Sequence, residues 1–291
     1  MGIIAREKFQ SLISKSGITV IPGAFNALTA KLIERKGFES VYLSGAGVIN
    51  SLAALPDNSL VTETEMLTMA RYITSILSIP LIVDVDTGFG NSVNVVRTVR
   101  DFENAGVACI QIEDQTFPKR CGHLDGKEVL DRSEFIQKIR AAVENRNDPQ
   151  LSIMARIDSR STLGLDEAII RGNESFNAGA DIVFIEALHT REEFSVFASN
   201  CEGPLLANMT EFGKTPHITK NEFLEMGYRF VIFPVSIMRA MMKAGASLLD
   251  DLASEGTLAG SVEKMMTRKE LYQLIDYDDY HEIEKKYLNK K

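Results

Sequence analysis

Eight short apolar runs, separated by helix-like segments, constrain the fold of this chain more than any other feature. Most of each run is rich in Val, Ile and Leu, the composition of strands that are buried on both faces. The intervening segments, such as residues 66–77 and 135–144, place apolar residues three and four apart, which predicts amphipathic helices. The eight runs are residues 18–24, 40–47, 80–88, 108–115, 152–159, 182–187, 205–212 and 230–236.

The number of strand–helix units predicts a closed barrel. Eight such units in 291 residues favour a (β/α)₈ TIM-type barrel over the alternative, a doubly wound open sheet. No Gly/Ser-rich linker interrupts the pattern, so we expect one domain over residues 1–291, with a C-terminal helical extension from about 246 to 291. Four Thr–Glu pairs have the spacing of a capping box and predict helix starts. They are Thr62 with Glu65, Thr190 with Glu193, Thr219 with Glu222, and Thr267 with Glu270.

Composition excludes several classes of protein. The net charge of −8, the lack of a basic run and the absence of Trp argue against nucleic-acid binding, and an anionic ligand would need a local cationic pocket. No apolar run reaches the roughly 18 residues of a membrane span, and the first ten residues do not have the pattern of a signal peptide. Cys109, Cys121 and Cys201 show neither metal-site nor disulfide spacing, which predicts a reducing, cytoplasmic location.

Polar residues stand where most of the predicted strands end, and in a barrel of this kind that is where the active site forms. Asp84, Asp86 and Glu113 supply hard oxygen ligands, which suit Mg²⁺ or Mn²⁺ rather than Zn²⁺. Arg156 and Arg239 have the forked guanidinium that binds carboxylates. The complete set is Tyr42, Ser44, Asp84, Asp86, Glu113, Arg156, Asp158, Glu186, Asn208, Thr210 and Arg239.

Several of these residues, and the neighbouring GAG sequence, also have a purely structural interpretation. Asp84 and Asp86 fit helix caps. Glu113, with its neighbour Asp114, fits an ion pair with an arginine, and Arg156 fits the other half of such a pair. The GAG sequence at residues 45–47 fits a tight turn.

Cys121 differs from the other two cysteines because charged residues and glycines surround it. The segment FPKRCGHLDGKEVL, residues 117–130, puts it beside Lys119, Arg120 and His123. A cationic setting lowers the pKa of a thiol and stabilises a nearby anion. The pattern therefore predicts a reactive thiol, acting as nucleophile or as proton donor.

The sequence KRCGH at residues 119–123 resembles the signature loop of the isocitrate lyase/phosphoenolpyruvate mutase superfamily. The resemblance runs from about residue 20 to 280 and follows the order and spacing of the 2-methylisocitrate lyase family. An intact KRCGH indicates the lyase branch, because the phosphoenolpyruvate mutase branch lacks its cysteine. The other matching motifs are YLSGAG, DVDTGFG, IEDQ, MARIDS, ANMTEFGKTP, FPVSIMRAMMKA and TRKELYQLIDY.

The resemblance implies Mg²⁺-dependent cleavage of the tricarboxylate (2S,3R)-2-methylisocitrate to pyruvate and succinate in the methylcitrate cycle of propionate catabolism. It implies a homotetramer with exchanged C-terminal helices. The implied metal ligands are Asp84 and Asp86, and the implied specificity residues are Phe184 and Ile232. The implied catalytic residues are Cys121 as proton donor, His123, Arg120, Glu113 and Tyr42. The implied substrate contacts are Ser44, Gly45, Ala46, Cys121, Gly122, Arg156, Glu186, Asn208, Met209, Thr210, Arg239 and Arg268.

Several alternatives stay open at this point. The base for the substrate hydroxyl is Tyr42, a carboxylate or a metal-bound water. Ala46, Ile157 and Ser159 depart from the residues frequent in the family, which bears on the width of the pocket. The rival activities are a lyase for 2,3-dimethylmalate or another alkylmalate, isocitrate cleavage as a side activity, and a phosphonate mutase or oxaloacetate hydrolase. A non-catalytic binding barrel is a further class.

Overall fold

The computed structural model describes residues 2–122 and 126–288, and it contains a closed barrel of eight parallel strands. Each strand pairs with the next along the chain, and β8 pairs with β1, which confirms the barrel and rules out the open sheet. All eight apolar runs form strands. They are β1 (Thr19–Ala24), β2 (Val41–Leu43), β3 (Leu81–Asp84), β4 (Cys109–Glu113), β5 (Ser152–Ile157), β6 (Ile182–Ile185), β7 (Leu205–Asn208) and β8 (Phe230–Phe233).

Helices follow the strands and form the outer layer. They are α1 (Gly2–Ser14), α2 (Ala27–Arg35), α3 (Gly45–Ala53), α4 (Glu63–Thr74), α5 (Ser92–Asn104), α6 (Arg132–Asn145), α7 (Arg160–Leu163), α8 (Leu165–Asn177), α9 (Arg191–Asn200), α10 (Lys220–Glu225), α11 (Ser236–Glu255), α12 (Arg268–Leu274) and α13 (Tyr277–Leu288), with a 3₁₀ helix at Ala259–Lys264. No helix in the described part of the chain is both long enough and apolar enough to cross a membrane.

Three of the four predicted capping boxes form, at the starts of α4, α10 and α12. The fourth is only half formed. Thr190 accepts a hydrogen bond from the backbone N–H of Glu193, but the Glu193 carboxylate accepts from the N–H of His189 instead of returning to Thr190. The same carboxylate also pairs with Arg160, so a tertiary contact competes with the local one.

Two apolar cores form because alternate residues of each strand point to opposite faces. One core lies between the barrel and the helices and includes Ile110 and Ile112 of β4. The other fills the barrel and includes Cys109 of the same strand. Phe9 of α1 enters this inner core and stacks on Phe230, with ring centroids 5.6 Å apart, so α1 closes the N-terminal end of the barrel.

The long helix α11 contains no buried residue, a property that it shares with the short helix α7 and with α13. Its exposed apolar side chains include Met242 at 69% and Leu249 at 66% exposure. The predicted extension from about 246 begins inside this helix, which runs without a break from Ser236 to Glu255. The helices that follow lie partly against α2, where Lys31 and Arg35 both form ion pairs with Asp276.

Candidate active site

A cavity of about 460 Å³ lies at the C-terminal ends of the strands, a size that suits a small organic ligand. The two-residue alternation of the strands aims polar side chains into it. In β4, for example, Cys109, Gln111 and Glu113 follow one another on the inner face. Of the predicted site residues, those that line the cavity are Tyr42, Ser44, Ala46, Asp84, Cys121, Gly122, Arg156, Phe184, Glu186, Asn208, Thr210, Ile232 and Arg239.

The remaining predicted site residues lie in other places. Asp86, Glu113 and Gly45 are buried directly beside the cavity: a β-carbon on Gly45 would lie 3.4 Å from Asp86 Oδ1. The Met209 side chain belongs to the core outside the barrel, so only its backbone is close to the strand ends. Exposed Arg268 begins α12. His123 lies outside the described residues.

Asp84 is held by three hydrogen bonds. Its Oδ1 accepts from Gln111 Nε2 and from the backbone N–H of Asp86, both at 3.2 Å. Its Oδ2 accepts from the N–H of Gly45 at 3.4 Å. The following helix α5 is capped by Asn91, so the interpretation of Asp84 and Asp86 as helix caps is wrong.

Asp86 and Glu113 present buried oxygens that accept no hydrogen bond from any described residue. These are Asp86 Oδ1 and both carboxylate oxygens of Glu113. Burial raises the pKa of Asp86 to about 6, against the opposing charge of Lys119, and burial also raises the pKa of Glu113. Two buried carboxyl groups with unsatisfied oxygens, next to Asp84, form an oxygen donor set with a deficit of positive charge. Their carboxylate oxygens are the donors that a hard divalent cation prefers, although no group of three or more His, Cys, Asp or Glu side chains among the described residues is arranged to hold a metal ion by itself.

Lys119 supplies the nearest ammonium group. Its side chain is 1% exposed, and its Nζ donates to Asp57 Oδ1 at 2.5 Å. The same Nζ lies 3.1 Å from Asp86 Oδ1, at an angle that makes no hydrogen bond. The carboxylates raise the pKa of Lys119 well above its usual value even though burial acts to lower it. Lys119 is therefore a fixed positive charge at the edge of the carboxylate cluster.

Arg156 crosses the floor of the cavity in a network of acids. Its Nε donates to Asp158 at 2.8 Å, and its Nη2 lies 3.2 Å from Glu186 Oε2. Its Nε is also 3.4 Å from Glu113 Oε2. The guanidinium carbon lies 5.3 Å from the ring centroid of Phe184. Arg156 is thus both an ion-pair partner and a cationic group that faces the cavity.

Asp114 points away from the site, although it is adjacent to Glu113. Its Oδ2 is 3.1 Å from Arg171 Nη1, and its Oδ1 accepts the backbone N–H of Asp158 at 2.7 Å. The structural interpretation is confirmed for Asp114. For Glu113, the 3.4 Å approach of Arg156 leaves both carboxylate oxygens without a hydrogen bond from the part of the chain that the structure describes, so an ion pair alone does not account for these buried oxygens.

The segment that carries Cys121 is fastened to the barrel on both sides of the thiol. The Gln115 side chain exchanges two hydrogen bonds with the backbone of Arg120, at 2.9 and 3.0 Å. The buried Lys127 donates to the Gly122 carbonyl at 2.6 Å and to Asp158 at 3.0 Å. These bonds hold Cys121 at the wall of the cavity, whereas the side chain of Arg120 is not among the described residues that line it.

Tyr42 lies on the floor of the cavity and donates its hydroxyl to Gln111 Oε1 at 3.0 Å. Burial, together with the charge of Asp84, raises the pKa of Tyr42 well above its usual value. The same Gln111 amide donates to Asp84, so it couples the phenol to the carboxylate. At neutral pH this arrangement keeps Tyr42 protonated as a hydrogen-bond donor.

Several residues of the site were not predicted from the sequence, among them Gln111, Asp57 and Lys127. The other unpredicted residues that line the cavity are Asn50, Glu211, Phe212, Gly213, Lys214, Pro234, Val235 and Met238. Gln111 had a readable signal, because the alternation along β4 puts it on the same face as Glu113. Asp57 and Lys127 had none: Asp57 lies in the connection between α3 and α4, and each finds its partner only when the barrel closes.

Comparison with known proteins gives the family. The family model for phosphoenolpyruvate phosphomutase matches residues 9–253. A 2-methylisocitrate lyase from Aeropyrum pernix is 49% identical over 279 residues, 96% of this chain and 88% of that protein. A 2,3-dimethylmalate lyase from Eubacterium barkeri is 43% identical over 280 residues, which are 96% of this chain and 97% of that protein. A solved phosphonopyruvate hydrolase in complex with oxalate and Mg++ has a TM-score of 0.89 and 30% identity, covering 98% and 99% of the two chains.

The comparisons agree with the barrel fold. The family match covers every strand of the barrel, and the relatives are named as enzymes. The chain therefore belongs to the phosphoenolpyruvate phosphomutase family, within the phosphoenolpyruvate mutase/isocitrate lyase superfamily of enzymes.

Proposed function

We propose that this protein is a lyase that cleaves (2S,3R)-2-methylisocitrate to pyruvate and succinate. The observation that carries the proposal is the position of Cys121 at the wall of a cavity whose floor holds the acids Asp84 and Glu186 and the cation Arg156. The relatives named 2-methylisocitrate lyase support this substrate, as the example at 49% identity illustrates.

The carboxylates of Asp84 and Asp86 would hold Mg²⁺, or Mn²⁺ in its place, with Glu113 beside them. When bound, such an ion supplies Lewis-acid stabilisation of negative charge on the substrate's hydroxyl and adjacent carboxylate oxygens. The buried oxygens of Asp86 and Glu113 that accept no hydrogen bond from residues 2–122 or 126–288 support this assignment. The related hydrolase described with Mg++ supports the choice of ion.

The cationic groups of the site would bind the substrate's carboxylates. Arg156 faces the cavity and would bind one of them in a forked manner. Arg239 lies at the mouth, where its Nη1 donates to Thr210 Oγ1 at 3.1 Å, and these two residues with Asn208 would hold the succinate end. Ser44, Gly45 and Ala46, at the start of α3, would hold the pyruvate end.

Cleavage would begin when a base takes the proton of the substrate hydroxyl. The C2–C3 bond then breaks, the hydroxyl carbon becomes the keto carbon of pyruvate, and the electron pair stays on C3 as the succinate enediolate. The Cys121 thiol donates its proton to C3 and becomes a thiolate. Lys119, Arg120 and His123 would stabilise the anionic intermediate. Tyr42 serves this scheme as a hydrogen-bond donor, because its raised pKa makes it unsuitable as the base.

A lyase for 2,3-dimethylmalate is the second candidate. The similarity to the 2,3-dimethylmalate lyase supports this candidate, because the aligned region is 43% identical and spans 97% of that lyase. The two substrates differ at the end that Arg239 and Arg268 would bind. Phe184 and Ile232 are both fully buried around the floor of the cavity and would accommodate the 2-methyl group, which isocitrate lacks.

We propose further that the enzyme is a cytoplasmic homotetramer that exchanges C-terminal helices and serves propionate catabolism in the methylcitrate cycle. The exposed apolar side chains of α11 support association with a second copy. Arg268 is exposed and is not among the described residues that line the cavity of its own subunit. An exchanged helix would explain how Arg268 could still contact substrate, in the cavity of a neighbouring subunit. Residues 1–291 would act as one domain with a helical extension.

The test is a coupled assay for 2-oxo acid release that compares kcat/KM for 2-methylisocitrate, isocitrate, 2,3-dimethylmalate and oxaloacetate. We expect a preference for 2-methylisocitrate, loss of activity in EDTA and recovery with added Mg²⁺. A preference for 2,3-dimethylmalate keeps the mechanism and changes the substrate. Full activity in EDTA overturns the metal assignment, and inactivity toward all four substrates overturns the proposed lyase.

A further inference from the structure

The loop that follows β3, residues 85–90, carries Asp86 in an unusual backbone conformation. Asp86 has φ +48° and Phe89 has φ +57°, and both are in the left-handed region that side chains rarely adopt. Gly88 between them has φ +82°. Such conformations of residues other than glycine are energetically costly and persist only where the surrounding structure determines them. Something outside the loop must therefore hold it.

Three successive carbonyl groups of this loop are tied to different parts of the barrel. The carbonyl of Asp86 accepts the backbone N–H of Glu113 at 2.9 Å. The carbonyl of Gly88 accepts the hydroxyl of Thr98, on α5, at 3.2 Å. Between them, the carbonyl of Thr87 accepts Lys138 Nζ, on α6, at 3.1 Å.

Lys138 is the unusual member of this set. It is 3% exposed, and the Thr87 carbonyl is its hydrogen-bond partner among the described residues. Burial lowers the pKa of Lys138, while the charges of Glu134 and Glu113 act in the opposite direction. A buried ammonium group is costly unless it is paired. Lys138 and its carbonyl partner thus form a strong charge-assisted contact behind the carboxylate cluster.

We propose that Lys138 is a positioning residue that holds the Thr87 carbonyl and thereby fixes the orientation of the Asp86 carboxylate toward the divalent cation. The inference rests on the proposed metal site. The Thr87 carbonyl belongs to the peptide between Thr87 and Gly88, one residue beyond Asp86, so its release loosens the loop that keeps Asp86 in the left-handed conformation. The carboxylate then spends less time in the orientation that binds the metal, and metal affinity falls.

The experiment compares Mn²⁺ binding to wild-type protein and to Lys138→Met, followed by electron paramagnetic resonance of the free ion in the absence of substrate. Lys138→Met keeps the length of the side chain and removes the donor. The matched control is Arg140→Met, an exposed cation on the same helix. We expect Lys138→Met to weaken Mn²⁺ binding by about 10- to 100-fold, the usual effect of losing a group that orients a metal ligand. Arg140→Met should bind as wild type does.

A second measurement separates positioning from general destabilisation. With 2-methylisocitrate, the Mn²⁺ concentration for half-maximal activity should rise in Lys138→Met, while kcat at saturating Mn²⁺ stays within about threefold of wild type, because saturating ion restores the geometry. If Lys138→Met does not fold, Lys138→Gln is measured instead. The neutral glutamine amide costs less free energy to bury than an ammonium group, and the shorter side chain does not reach the Thr87 carbonyl.

Wild-type Mn²⁺ affinity in whichever variant folds overturns the role of Lys138 and leaves the proposed metal site intact. Failure of the wild-type protein to bind Mn²⁺ overturns the metal site, and with it the inference.

Discussion

Gly122 lies so close to Arg156 that a β-carbon at this position would come within 2.4 Å of the guanidinium Nη2. The same atom would meet Glu186 Cγ at 2.5 Å. A contact under 3 Å forces movement, and Arg156 is fixed by its carboxylate partners. The residue beside the thiol must therefore be a glycine if Cys121 is to stay at the wall of the cavity.

We predict that Gly122→Ala moves the thiol out of place while the barrel stays folded. A displacement of about 1 Å costs about 100-fold in rate, so kcat for 2-methylisocitrate should fall by that order. The rate of Cys121 alkylation by iodoacetamide should rise, and peptide mass spectrometry distinguishes it from the buried Cys109 and Cys201. Gly260→Ala, where the added β-carbon meets open space, is the control. If kcat and the rate of Cys121 alkylation are unchanged in Gly122→Ala, the segment accommodates the added methyl group without displacing the thiol, and the prediction is wrong.

Cys121→Ser tests the thiol as the proton donor. Serine keeps the size and the hydrogen-bonding ability of the side chain, but its hydroxyl is a far weaker acid. We expect kcat to fall by about 10²- to 10⁴-fold, the usual contribution of a positioned general acid, with the unfolding temperature unchanged. Mn²⁺ affinity should also stay at the wild-type value, because the metal residues are intact. Cys201→Ser is the control, and turnover near wild type in Cys121→Ser would remove Cys121 from the mechanism.

The fold was predictable from sequence because each of the eight barrel strands lies within a continuous apolar run. Each strand can therefore be recognised from its own residues, without knowledge of the strand that it pairs with. The carboxylates at the strand ends were predictable for the same reason, because Asp84 and Glu113 are the last residues of the apolar strands β3 and β4. Alternation also separates Glu113 from Asp114, since adjacent residues face opposite sides of the sheet.

Contacts between distant loops were not predictable. Lys119 meets Asp57 across 62 positions of the chain, and neither neighbourhood contains a pattern that specifies the other. Lys127 meets Asp158 in the same way. Such pairs depend on barrel closure, which brings the loops to one end, and no local periodicity encodes them. Met209 was predicted as a substrate contact, and the sequence did not show that its side chain packs in the outer core, which leaves its backbone for such a contact.

The buried pair of Asp114 and Arg171 leads to a prediction about stability. Both side chains are almost fully buried, at 0% and 2% exposure. Arg171→Met would leave the Asp114 carboxylate without its cation, so we expect the free energy of unfolding to fall by about 3–5 kcal/mol, measured by urea denaturation. Arg132→Met is the control: its side chain is 37% exposed and pairs with Glu167 and Glu174, and loss of such a solvent-exposed pair should leave the free energy of unfolding close to the wild-type value. Equal losses in the two variants would contradict the assignment of Asp114 to a structural role.

Tyr42 gives a prediction about pH. Burial and the charge of Asp84 raise its pKa well above the usual value near 10, so the phenol stays protonated throughout the neutral range. Activity should therefore not rise with pH through any titration of Tyr42. In Tyr42→Phe we expect kcat/KM to fall about fivefold, the value of one neutral hydrogen bond, while any acidic limb of the pH profile keeps its midpoint. Tyr228→Phe is the matched control, because Tyr228 is another buried tyrosine of raised pKa whose hydroxyl donates to the Phe194 carbonyl, away from the cavity. If the acidic limb disappears in Tyr42→Phe and persists in Tyr228→Phe, Tyr42 is the base and its phenol must ionise during turnover.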